Sequence, residues 1–151
     1  MSISWRDKMS VDDGIIDQDH KHLIDIINQF ENTAKDGLSL DEALEILYAL
    51  KFYATTHFQR EEQLQMMIEF PFRDAHKKEH QGLLETLAKI ISEVKYSSDE
   101  SHEKIARDTA VLLREWLVDH ILQSDLSMRP FVDALRREGH NMEDLASILP
   151  Q

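Results

Sequence analysis

Seven side chains in this sequence have a type and spacing that suit metal ligation: His20, His57, Glu61, His76, His80, His120 and Asp125. His57 and Glu61 are four residues apart, as are His76 and His80. Residues at that separation project from one face of a helix and can converge on a single ion. His120 and Asp125 are five apart, which on an ideal helix of 3.6 residues per turn leaves them about 140° out of line. For that pair to act together, the turn between them must be loosened or widened. His20 stands seven residues before Ile27, His57 seven before Leu64, and His120 four after Trp116, so each lies on an apolar stripe. Buried polar groups need partners, and a bound cation supplies one to several groups at once. The chain has no cysteine, so the donors are nitrogen and oxygen only. Such a set suits iron, manganese or zinc, and donor type alone does not choose among them.

Taken singly, the pairs have ordinary explanations. His57 with Glu61 reads as a core histidine bonded to a carboxylate on its own helix, His76 with His80 as a wet face beside Lys77 and Lys78, and His120 with Asp125 as helix-end polarity. Their conjunction carries the metal reading. His20 and Asp25 also have the five-residue spacing, but Asp25 lies off the apolar stripe. A ferritin-like di-iron site needs Glu-x-x-His on two helices, and no histidine here has Glu three residues before it. His22, His102 and His140 fall outside the pattern and are expected on the solvated surface.

The elements that must position these groups are all helical. Four Gly and three Pro leave few breakpoints in 151 residues. Residues 1–16 form an arm, and Leu23, Ile24, Ile27, Phe30 and Ala34 then recur at helical spacing until Asp36-Gly37. Ser39 with Glu42 has the form of a capping box and opens the longest helix, which Phe70-Pro71 ends. A third helix runs through His76, His80, Leu83, Leu87, Ile90 and Val94 to the polar stretch 97–101. A fourth continues through Ile105, Thr109, Leu112, Trp116 and His120 to about Asp125, and Pro130 closes the bundle region. Short connections between long amphipathic helices predict an all-α, antiparallel up-down-up-down four-helix bundle over 1–131. The tail 132–151 is expected to add a short helix ending at Gly139 and a second one capped by Asn141.

Composition sets the outer limits. A net charge of −12 argues against a nucleic-acid binder, which needs clustered Lys and Arg. No apolar run approaches the roughly 18 residues of a membrane span. Arg6 and Lys8 are not followed by a hydrophobic, signal-like segment, and a cytoplasmic location is expected.

The run Ile16-Asp17-Gln18-Asp19-His20-Lys21, then His57-Phe58 with Glu61-Glu62, then Pro71 ahead of His76 and His80, then Trp116-Leu117 with His120 and Asp125, resembles the bacterial hemerythrins. The resemblance spans roughly Trp5 to Phe131. It implies two non-haem iron ions, one on His76, His80 and His120 and the other on His20 and His57, with Glu61, Asp125 and an oxo or hydroxo group bridging them. It further implies that dioxygen binds reversibly at the open position of the second iron. Trp116 and Leu117 match family positions near the oxygen pocket. Gln65 stands where many relatives carry Met, Phe70 where they often carry Tyr, and Asp12-Asp13 where Gly and an apolar residue are usual. None of these departures removes a ligand. Gln65 bears on the site by admitting a polar group or water.

The expected function is oxygen carriage, storage or delivery rather than catalysis. An oxygen or redox sensor signalling to a protein partner through the tail is the first alternative. A di-iron oxidase, or a peroxide- or nitric-oxide-handling enzyme, is the second.

Overall fold

A computed structural model of the chain describes residues 2–37, 39–98, 102–141, 143, 144, 147, 149 and 150. Among the described residues five α-helices follow one another: α1 (Ile15–Lys35), α2 (Leu40–Met67), α3 (Arg73–Lys95), α4 (His102–Asp119) and α5 (Arg129–Arg137). The described residues include no strand. Contacts join α1 to α2, α2 to α3, α3 to α4 and α4 back to α1, closing an up-down-up-down bundle.

Local chemistry explains where the helices begin and end. At the start of α1 the Asp12 carboxylate accepts the backbone N–H groups of Gly14, Ile16 and Asp17 at 2.9, 3.1 and 3.1 Å. Asp17 in turn accepts from Val11 N–H at 2.7 Å and Asp13 N–H at 3.0 Å. Helix N-termini leave unpaired N–H groups, which the buried Asp12 carboxylate satisfies, while Asp17 ties down the N–H groups of the loop before the helix. Gly37, at φ 87°, turns the chain out of α1. Ser39 Oγ accepts Glu42 N–H at 3.2 Å, which is half of the expected capping box.

The short helix expected after Pro130 and before Gly139 is α5, with Pro130 in its first turn. A proline there costs nothing, because its missing N–H would have been unpaired anyway. The expected break at 97–101 falls partly outside the described residues, as does the second tail helix. Within the latter, Glu143 N–H donates to Asn141 Oδ1 at 2.9 Å.

Two apolar clusters form the core. The larger gathers Leu23, Phe30, Leu47, Leu50, Phe58, Leu87, Leu113 and Leu117. The smaller gathers Val11, Ile16, Leu64, Phe70, Met128, Val132 and Leu149. Along every bundle helix the candidate ligands lie in sequence between members of the two clusters. His20 falls between Ile16 and Leu23, and Glu61 between Phe58 and Leu64. His76 and His80 fall between Phe70 and Leu87, and His120 and Asp125 between Leu117 and Met128.

Candidate metal centre

Each helix contributes to one buried polar layer. α1 supplies His20, α2 supplies His57 and Glu61 one turn apart, and α3 supplies His76 and His80. The chain after α4 departs from α-helix. His120–Ser124 forms a π turn, and the backbone N–H of Asp125 donates to the carbonyl of His120, five residues back. That pattern widens the turn and brings His120 and Asp125 to the same side. A spacing out of register on an α-helix is thereby in register here.

The seven side chains meet, and all are nearly inaccessible to solvent. Their donor atoms make two groups, each within 4.8 Å: Glu61, His76, His80, His120 and Asp125 in one, His20, His57, Glu61 and Asp125 in the other. Both carboxylates belong to both groups. Asp125 divides its oxygens between them, and Glu61 does so except that its Oε1 is also 3.7 Å from His120 Nε2. Asp125 Oδ2 is 2.7 Å from His20 Nε2, while Oδ1 is 2.9 Å from Nε2 of both His76 and His120. Glu61 Oε2 is 3.3 Å from His76 Nε2 and 3.7 Å from His80 Nε2, while Oε1 is against His57 Nε2 and 3.5 Å from His20 Nε2.

These donors fit a cation. His57 Nε2, Glu61 Oε1 and both ring nitrogens of His80 and His120 are buried with no hydrogen-bond partner. Groups so placed are costly unless something binds them. Electrostatics agree. Burial alone would raise the pKa of Glu61, yet the charge of His57 and the close imidazoles of His120 and His20 hold it well below the carboxylate range. For Asp125, burial and the charge of Glu61 push upward, and His120 and His20 bring it well below. The imidazoles respond in the opposite direction. Burial lowers the His76 pKa, but Asp125 and Glu61 push it up to about 9. The carboxylates concentrate negative charge, which the bound protons offset and which metal cations would offset in their place.

Several contributors had no role assigned from the sequence, although Asp19 and Phe58 stand in the motifs that carry the resemblance. Phe58 stacks on His80 with ring centroids 4.0 Å apart and meets His120 edge-on at 5.3 Å. Its adjacency to His57 was the available signal. Asp19 accepts from His57 Nδ1–H at 3.0 Å, from Tyr53 Oη–H at 2.7 Å and from Arg60 Nη1–H at 2.7 Å. Tyr53 and Arg60 flank His57 at −4 and +3 on α2, a spacing that puts all three on one face. Burial and the Asp19 carboxylate push the Tyr53 hydroxyl up to about 12.

Of the oxygen-pocket candidates, Leu117 is buried in the larger cluster. Trp116 packs toward Phe58 at 6.4 Å, and its Nε1–H donates to the Leu83 carbonyl. Gln65 is fully buried, with Nε2 3.5 Å from Met128 Sδ and Oε1 unpartnered. It also forms the inner wall of a cleft of about 350 Å3 shared with Glu62, Met66, Arg73 and Lys77.

Comparison with known proteins gives a consistent picture. The family model described as Hemerythrin HHE cation binding domain matches residues 12–132. The chain is 30% identical over 141 residues to a bacteriohemerythrin of Pseudomonas aeruginosa (strain LESB58), covering 93% of this chain and 84% of the relative. It is 31% identical over 121 residues to a bacteriohemerythrin of Methylococcus capsulatus, covering 80% and 88%. For that of Clostridium acetobutylicum the identity is 27% over 133 residues, covering 85% and 98%.

Proposed function

The chain belongs to the hemerythrin HHE cation-binding family, and from that premise we propose that it holds two non-haem irons and binds dioxygen reversibly beside them. In this reading His76, His80 and His120 hold one ion, His20 and His57 hold the other, and Glu61 and Asp125 are shared. The observation that carries it is that both carboxylates face both histidine groups, with Asp125 turning Oδ2 to His20 and Oδ1 to His76 and His120. A single ion would leave half of that arrangement unused.

When bound, the iron pair supplies the electrons and the open coordination position that dioxygen needs. The chain's own residues do the rest. Two imidazoles face one side of the cluster and three face the other, so His20 and His57 would hold an ion with fewer protein donors and leave more room for a small ligand there. Asp19 holds the proton of His57 at Nδ1 and leaves the Nε2 lone pair directed inward. Phe58 puts apolar surface against His80 and His120, and the cluster that contains Leu117 backs it, which keeps water out. Gln65 lines the cleft and keeps a buried, unpartnered Oε1 beside it.

Carriage, storage or delivery of oxygen is the role this supports best, with 1–131 as the iron-holding bundle and 132–151 as an extension. No described helix is long and apolar enough to cross a membrane. Iron content and visible absorption under oxygen and argon test the reading. The expected result is two irons per chain and a visible band that appears with oxygen and fades on degassing over repeated cycles. Two irons without a reversible band would defeat oxygen binding. Sustained consumption of a reductant under oxygen would favour an oxidase instead.

A further inference from the structure

We propose that the C-terminal end of the chain helps to position a ligand of the metal centre, through a line of hydrogen bonds from Pro150 to Arg60, Asp19 and His57. The proposal rests on the di-iron reading for its consequence at iron, and on contacts within the chain for its existence.

Arg60 Nε–H donates to the Pro150 carbonyl at 2.6 Å, and Nη1–H donates to Asp19 Oδ1 at 2.7 Å. A guanidinium is a rigid planar fork, so seating one nitrogen aims the others. Tyr53 Oη–H donates to the same Asp19 oxygen at 2.7 Å. With Oδ1 doubly occupied, Oδ2 is left to accept from His57 Nδ1–H at 3.0 Å. That bond sets the tautomer and ring plane of His57, whose Nε2 points into the cluster. Leu149 is buried in the smaller core cluster beside residues of the N-terminal arm and α2. The Pro150 carbonyl is therefore held by apolar anchoring as well as by Arg60.

The consequence follows from geometry. With the tail seated, Arg60 is fixed on Asp19 Oδ1, and Oδ2 is held where it fixes the His57 ring. Without the tail, the fork loses one of its two acceptors and its aim. Asp19 is then less firmly placed, and the His57 ring is held less well in the direction of the cluster. His57 belongs to the two-histidine side, where the proposed function places dioxygen. The end of the tail is thus a positioning element for the oxygen-binding iron, and release of the tail weakens it.

The test uses four variants: a chain lacking 149–151, Asp19→Asn, the two combined, and Arg60→Lys, which keeps the charge but not the fork. In the metal-free protein, truncation is expected to move the imidazole NMR resonances of His57 and to leave those of His102, at the start of α4, in place. In the iron-loaded protein, Asp19→Asn is expected to release iron to a chelator on the order of 10–100-fold faster, and truncation about 10-fold faster. Arg60→Lys should resemble truncation. In the Asp19→Asn background, truncation should add less than about twofold, because its effect passes through Asp19.

Unmoved His57 resonances after truncation would overturn the coupling, whatever the iron result. A truncation effect of full size in the Asp19→Asn background would overturn it too, since the loss would then come from Leu149 packing alone. A wild-type chain that takes up no iron would defeat the di-iron reading, and the metal-free resonances would still decide the coupling.

Discussion

All five site imidazoles turn Nε2 toward the carboxylates, and the other ring nitrogen differs from one to the next. His57 Nδ1 has Asp19 at 3.0 Å, while Glu62 and Glu79 stand 3.6 Å from Nδ1 of His80 and His120. Only the first is a hydrogen bond by distance, so His57 is the most firmly oriented of the three. Replacing a ligand of one group should have a different effect from replacing a shared one. His20→Ala is expected to reduce iron from two to about one per chain, whereas Glu61→Ala should lose both, measured by metal analysis after desalting. Equal losses in the two variants would contradict a shared Glu61. Proton linkage at the same residues predicts a pH effect in the metal-free chain. His76, raised from 6.5 to about 9, adds stability that is complete below 6.5 and is lost as pH climbs through about 9. Glu61 and Asp125, lowered well below their ordinary values, add stability that is lost only on the acid side. Metal-free protein should therefore melt at a lower temperature near pH 10 than near pH 6.5. A Tm that holds or rises would count against a proton-linked cluster.

Helix ends decide whether the ligands arrive in register. The Asp12–Asp17 arrangement fixes where α1 begins, and His20 lies one turn inside it. Arg129 Nη1–H donates to the Ser10 carbonyl at 2.8 Å, and Arg136 donates to the Asp12 carbonyl, so α5 clamps the same loop from outside. Removing a capping carboxylate costs about 0.5–2 kcal/mol. Asp12→Ala is expected to reach the upper part of that range, because the N–H groups it leaves are buried. Asp12→Asn keeps an acceptor and should cost well under half as much, as urea unfolding would show. Similar losses for the two would mean that charge rather than capping matters. The π turn does the corresponding work at the other end of the layer. It bonds Asp125 N–H to the His120 carbonyl and turns a five-residue spacing into a shared direction.

Across the whole molecule, a charged layer sits between two apolar clusters, and the groups that would repel one another need something to hold them together. A cation that binds the folded chain and not the unfolded one stabilises it by about 2.7 kcal/mol at a hundredfold excess over Kd. For a domain of this size that corresponds to a rise in Tm on the order of 5–10 °C. Stripping iron with a chelator should lower Tm by that amount, and returning ferrous iron under argon should restore it. Calorimetric scans that overlay with and without iron would contradict a role for the ions in holding the bundle.

The ligand types, their four-residue spacings and the four amphipathic stripes were all present in the linear sequence, because helical periodicity makes facing a local property. The need for a widened turn at His120 and Asp125 was also legible, as a misfit to that periodicity. What surrounds the ligands was not. Asp19 finds Tyr53, His57 and Arg60 at separations of 34, 38 and 41 residues, and Arg60 finds Pro150 at 90. Such pairings depend on how each helix is rotated against its neighbours, which the packing of the two apolar clusters sets.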